Sequence, residues 1–200
     1  MGWVEPVTLT GRSARLEPLN AAHAEDLLVV GQSPEVWEYL PRNAFGALED
    51  AQAWIAETLK IAASGTQCPF AIINLATGRA VGSTRYMDIV PADRRLEIGW
   101  TWLGREFWRT PINTECKYLL LCHAFEALNC LRVQLKTDMR NERSQRAIER
   151  LGAVREGVLR KHMIVAPKNN YQRTTVMYSL IDDEWPGVKA QLAGKMPEKR

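Results

Sequence analysis

"NERSQRAIERLGAVREG", Asn141 to Gly157, opens with a capping residue and closes in a strand. Asn141 is placed to cap a short helix, Ser144 falls at its third position, and Gly152 stands just past its end. On the N-terminal side, "RVQLKTD" (Arg132 to Asp138) alternates strictly, with Val133 and Leu135 facing one way. On the C-terminal side, "AVREGVLRKHMIV" and "TTVMYSLI" read as two strands. "DDEWPGVKAQLAG" reads as a terminal helix, and residues 194–200 as a frayed tail.

Further upstream, "YLLLCHAF" (Tyr118 to Phe125) lies in a helix running from Pro111 to Leu128. It is apolar on nearly every side, so it packs on a sheet. Before it come three strand candidates, "CPFAIINLA", "RAVGSTRYMDIV" and "RRLEIGWTWL". Their short links imply antiparallel pairing. "VTLTGRSARLEPL" (Val7 to Leu19) is strand-like. Asn20 then caps a helix ending near Gly31, and "SPEVWEYLPRNAF" is a turn between prolines. A second helix places Leu48, Ala51, Ile55, Leu59 and Ala62 on one face. No repeat or linker interrupts the order, so residues 1–193 form one α/β (α+β) domain.

Between the third of those strands and the apolar helix lies "FWRTPINTEC", Phe107 to Cys116. Thr110 is a candidate N-cap and Pro111 a candidate first helical residue. Ile112, Asn113 and Thr114 then present free N–H groups at the positive end of the helix dipole. Such an end can hold an anion, and it can equally be no more than a capped helix. Arg105, Arg109 and Lys117 add positive charge nearby.

The order of these elements, with "EIGWTWL" and "NERSQRAIERLGAVREG", resembles the GNAT superfamily of N-acetyltransferases. More narrowly, it looks like the RimJ/RimL-like branch, which is related to ribosomal-protein N-terminal acetyltransferases. The resemblance covers roughly Val7 to Trp185. It implies a mostly antiparallel central sheet of about seven strands flanked by helices. Two parallel strands, Arg95–Leu103 and Arg132–Asp138, would splay around acetyl-CoA. The pyrophosphate would lie on the start of the apolar helix. The family's loop is [Q/R]-x-x-G-x-[G/A]; Trp108, Pro111 and Asn113 stand at those positions here.

The resemblance also implies roles. Glu97 is expected to take the proton of the attacking amine, and Ser144 to protonate the leaving thiolate. Backbone N–H groups of Trp100, Thr101 and Trp102 would hold the acetyl oxygen and the pantetheine, with Gly99 permitting a bulge. Asn141 and Arg146 join Arg105, Arg109, Thr110, Ile112, Asn113 and Thr114 as cofactor contacts. Trp37, Tyr39 and Tyr171 would wall the acceptor pocket, with Tyr178 and His162 as secondary candidates. No metal is expected. The acceptor is a primary amine, on a protein N-terminus or a small molecule, and a homodimer is compatible with the branch. A non-catalytic acyl-CoA-binding module is the competing reading.

Composition bounds the partners. The net charge of +3 is too small to imply nucleic acid. No run of 18 apolar residues exists, so no membrane span is expected. The four cysteines form no C-x-x-C pair, which reads as buried free thiols in a cytoplasmic protein.

Overall fold

The computed structural model describes residues 2–195. Residues 196–200 of the expected tail lie outside the described residues. The elements in chain order are β1 (Leu9–Thr10), β2 (Ala14–Pro18), α1 (Ala24–Gly31), α2 (Leu48–Ala62), β3 (Cys68–Asn74), β4 (Arg79–Val90) and β5 (Arg95–Leu103). Then follow α3 (Ile112–Cys122), β6 (Arg132–Asp138), α4 (Glu142–Glu149), β7 (Val154–Val165), β8 (Tyr171–Ile181) and α5 (Trp185–Ala193).

The strands make one eight-stranded sheet in the order β1-β2-β3-β4-β5-β6-β8-β7. Every pairing is antiparallel except β5 with β6. The extra strand over the expected seven is the two-residue β1. The run Val7 to Leu19 is not continuous; it turns back at Gly11–Ser13.

The reason for that turn lies on α3. Glu115 is 2% exposed, and its carboxylate accepts the backbone N–H groups of Arg12, Ser13 and Ala14 at 2.6, 2.7 and 2.8 Å. A Cβ at Gly11 would fall 2.6 Å from the Glu115 Cδ, so only glycine fits beneath the carboxylate.

Alternating side chains give the sheet two cores. On one face Leu96, Ile98, Val133 and Leu135 pack with Cys116 and Leu120 of α3. On the other, α1 and α2 cover β2 to β5 with an aromatic cluster of Trp37, Phe45, Trp54 and Trp102. The buried stripe of α2 is Ala51, Trp54, Ile55 and Thr58, with Leu48 and Leu59 at its margin. Cys68, Cys116 and Cys130 are buried, Cys122 is partly so, and all four are free thiols. Among the described residues no helix is long and apolar enough to cross a membrane.

Candidate active site

The parallel strands β5 and β6 pair only over Arg95–Glu97 and Arg132–Gln134. Beyond that point β5 continues to Leu103 and β6 to Asp138, each bonded only to its outer neighbour. The rest of each inner edge borders a gap.

A bulge shapes the β5 side of this gap. Ser83 lies opposite Trp102 and Arg85 opposite Gly99, so Thr84 faces two residues, Trp100 and Thr101. Sequence placed the bulge at Gly99, but the left-handed residue is Trp100, at φ 49°. That conformation is costly for a bulky side chain and is held from outside. The Arg85 guanidinium provides the hold, 4.8 Å from the Trp100 ring. The extra residue turns Thr101 toward α3. There its Oγ1 lies 2.8 Å from the Thr84 hydroxyl and accepts a hydrogen bond from the Lys117 ammonium. The Trp102 side chain goes the other way, into the aromatic core, so only its backbone remains beside the gap.

Glu97 is neither a solvated strand residue nor a free cleft carboxylate. It is 1% exposed, it pairs with the Lys136 ammonium at 2.9 Å, and it accepts a hydrogen bond from Gln134 Nε2 at 3.0 Å. Burial raises its pKa, and Lys136 opposes that rise. Gly99 makes the room: a Cβ there would lie 2.9 Å from the Glu97 Oε1.

At the start of α3, Pro111 has helical φ −62°, and its carbonyl accepts the Glu115 N–H at 2.9 Å. The N–H groups of Ile112, Asn113 and Thr114 therefore have no intrahelical acceptor. Thr110 does not cap them, because its hydroxyl donates to the Phe107 carbonyl at 2.7 Å. Arg105 turns away to Glu35 at 3.0 Å, on the turn Pro34–Trp37. Arg109 is exposed, at φ 62°.

The sequence reading missed Arg143. Its guanidinium lies 3.6 Å from the centroid of the Trp108 ring and so ties α4 to the loop before α3. Burial first, and Arg109 among its neighbours, lower its pKa. The available signal was its place at the second position of α4, beside the expected cap.

Asn141 caps α4 as expected, its Oδ1 accepting the Ser144 N–H at 3.0 Å. The same arrangement leaves the Asn141 amide free to donate. Arg146 instead makes an exposed ion pair with Glu142. On the acceptor side, Tyr39 and Tyr171 are brought together by Arg140, whose guanidinium lies 5.9 and 3.5 Å from their rings. Arg140 also forks onto buried Asp138 at 3.2 and 3.1 Å. Trp37 does not join them. Its ring is fully buried, and its Nε1 donates to the Gly31 carbonyl. His162 lies 3.1 Å from the Thr175 hydroxyl, and Tyr178 donates to Glu149, so both have structural partners.

An open β-strand edge beside a helix N-terminus with free N–H groups fits an extended chain that carries a phosphate at one end. Comparison with known proteins agrees. The profile of the Acetyltransferase (GNAT) domain matches residues 14–154. The Bacillus subtilis (strain 168) protein "Putative ribosomal N-acetyltransferase YdaF" is 33% identical over 115 residues, covering 58% of this chain and 61% of that protein. "Uncharacterized N-acetyltransferase p20" of Bacillus licheniformis is 26% identical over 180 residues, 90% of this chain and 99% of its own. The crystal structure of a GCN5-related N-acetyltransferase from Brucella melitensis superposes with TM-score 0.89 at 30% identity, covering 96% of this chain and 86% of that one. Mycobacterium smegmatis RimJ, solved in complex with CoA-disulfide, shares the fold at TM-score 0.81 and 19% identity, over 95% of each chain. With a profile match across most of its length and a relative 30% identical over 96% of it, the chain belongs to the GNAT family of acetyl-CoA-dependent N-acetyltransferases.

Proposed function

We propose that the protein moves the acetyl group of acetyl-CoA to a primary amine by direct attack within a ternary complex. The observation that carries this reading is the bulged, unpaired edge of β5 beside Glu97. Free N–H groups at Ile112, Asn113 and Thr114 hold the pyrophosphate. The backbone of Trp100 to Trp102 and the Asn141 amide hold the pantetheine. Holding both reactants in one gap removes the entropy of their encounter from the barrier.

The amine must attack as a neutral base, so its proton has to leave. Glu97 is the receiving carboxylate, directly or through one water, and Lys136 opposes the rise that burial gives its pKa. The bulge frees a backbone N–H for the developing oxyanion. Ser144, held at the start of α4, hydrogen-bonds the departing sulfur. Tyr39, Tyr171 and Arg140 line the approach of the acceptor, a protein N-terminus or a small amine. The free thiols suit a reducing, cytoplasmic setting.

Thermal melting with acetyl-CoA, CoA or ATP tests the cofactor. At about 100 times Kd, binding adds ~2.7 kcal/mol. In a chain of this length that moves Tm by roughly 5–10 °C. A shift with both CoA forms and none with ATP is expected, followed by thiol release when amines are screened. Pro111 and Asn113, in place of the family glycines, favour the second reading of a binding module without turnover. Binding without thiol release on any amine would establish that one.

A further inference from the structure

The buried charges around the gap do not balance. Glu97 answers Lys136, and Asp138 answers Arg140. Lys117 has no such answer. It is 6% exposed, its ammonium donates to the Thr101 hydroxyl, and no ion pair to it occurs among the described residues. A buried cation without a carboxylate loses several kcal/mol of hydration with little return, and such groups gather at functional sites.

Its position supplies the reason. Lys117 stands about one turn along α3 from Asn113, so it lies on the helix face that begins at the free N–H groups. Its Nζ reaches Thr101, which lies in the bulge, on the part of β5 that no longer pairs with β6. The Thr84 hydroxyl fixes Thr101 from the far side at 2.8 Å. The chain Thr84–Thr101–Lys117 thus ties a buried ammonium, without an ion-pair partner among the described residues, to the bulge that borders the gap.

We propose that Lys117 is the cation that receives the departing CoA sulfur as a thiolate. The inference rests on the acetyl transfer proposed above. The amine nitrogen bonds to the thioester carbonyl carbon, and the carbon–sulfur bond breaks with its electron pair going to sulfur. The Lys117 ammonium holds that sulfur as a thiolate, which takes its proton from solvent as CoA leaves. The proton lost by the attacking nitrogen leaves through Glu97.

Burial brings the Lys117 pKa down to about 8, close to that of an ordinary thiol. Among its neighbours, Cys116 and Glu97 raise that pKa, against the larger effect of burial. Thr101 and Thr84 are neutral, Cys116 is held protonated by burial, and Glu97 is engaged by Lys136.

The test is the ionisation of the thiol of bound CoA, followed by its thiolate ultraviolet absorbance across pH. In the native protein that thiol should ionise about 1–3 pH units below free CoA, the usual effect of a close opposite charge. Lys117→Met keeps the length of the side chain, and replacing a lone buried charge by an apolar group is tolerated. In that variant the thiol should ionise at or above the free value, with kcat down by about 10²-fold or more. Thr101→Val, which removes the anchor of the ammonium, should shift ionisation in the same direction and serves if the first variant fails to fold. Unchanged ionisation in a folded Lys117→Met that still binds CoA overturns the inference and leaves the acetyl-transfer reading standing. Loss of the downward shift in Ser144→Ala alone would overturn it too, since the serine would then be the sulfur's partner. No CoA binding by the native protein would overturn both readings.

Discussion

Glu97 is buried, and yet the chemistry asks it to be charged. Its raised pKa means that the ionised form appears only above the usual carboxylate range. The acid limb of kcat/KM should therefore lie at higher pH than an ordinary glutamate gives. Removing Lys136 takes away the main force that lowers this pKa. Lys136→Met should move that limb further up, and an unmoved limb in the pH–rate profile would detach Glu97 from the rate. Glu97→Gln should lower kcat by about 10²–10⁴-fold, as for a general base; a loss below threefold would remove it from that role. For folding the sign is opposite to that of an ordinary carboxylate. A raised folded pKa contributes stability at low pH, and that contribution is lost as pH rises through it. The glutamate itself was legible from "LEIGW" and its resemblance. Its partner was not, because Lys136 arrives through the parallel pairing of β5 with β6, a contact that local pattern does not encode.

Between elements, the clip from α3 to the β1–β2 turn is the sharpest dependence. Glu115 alone satisfies three backbone N–H groups. Glu115→Ala removes the carboxylate from all three, the Ala14 N–H among them in the core, at a cost of about 3 kcal/mol. Calorimetry should show Tm lower by roughly 6–12 °C. A loss under 2 °C would mean that water takes the place of the carboxylate. The helices, hairpins and the Asn141 cap were readable because each is a short-range pattern. The break of the first strand was not readable, since its cause sits more than 100 positions away. Thr110 had the right residue type for a cap, but its hydroxyl turned back to Phe107, leaving Pro111 at the helix boundary. Arg105 likewise had the right charge and a competing carboxylate in Glu35.

Across the whole molecule, one glutamate adds a side-chain tie to the backbone ladders of the three strands beyond the gap. Glu156 on β7 accepts both Nη1 and Nη2 of Arg132 on β6 and the hydroxyl of Ser179 on β8 at 2.8 Å. The Arg132 hydrogen bonds bring its pKa from 4.5 down to about 2. The stability this gives is present above pH 4.5 and is lost as pH falls toward 2. The site is partly open to solvent, which limits its size. Acid titration followed by circular dichroism should show a shallower loss over that window in Glu156→Gln. An identical slope would place the acid sensitivity elsewhere. At this scale sequence and resemblance gave the element order and the splayed pair. The distribution of charge was hidden, because the two faces become distinct only when strands distant in the chain lie side by side.

The free thiols have a consequence for an enzyme whose product is itself a thiol. Burial pushes Cys68 up to about 11 and Cys116 and Cys130 up to about 12, and Cys122 is raised as well. A disulfide exchanges only through a thiolate, and near neutral pH these side chains offer almost none. Oxidised CoA can then meet this protein without leaving a covalent adduct. The protein is a redox bystander to its own product, and a thiol-reactive dye should label it slowly until a denaturant opens the core.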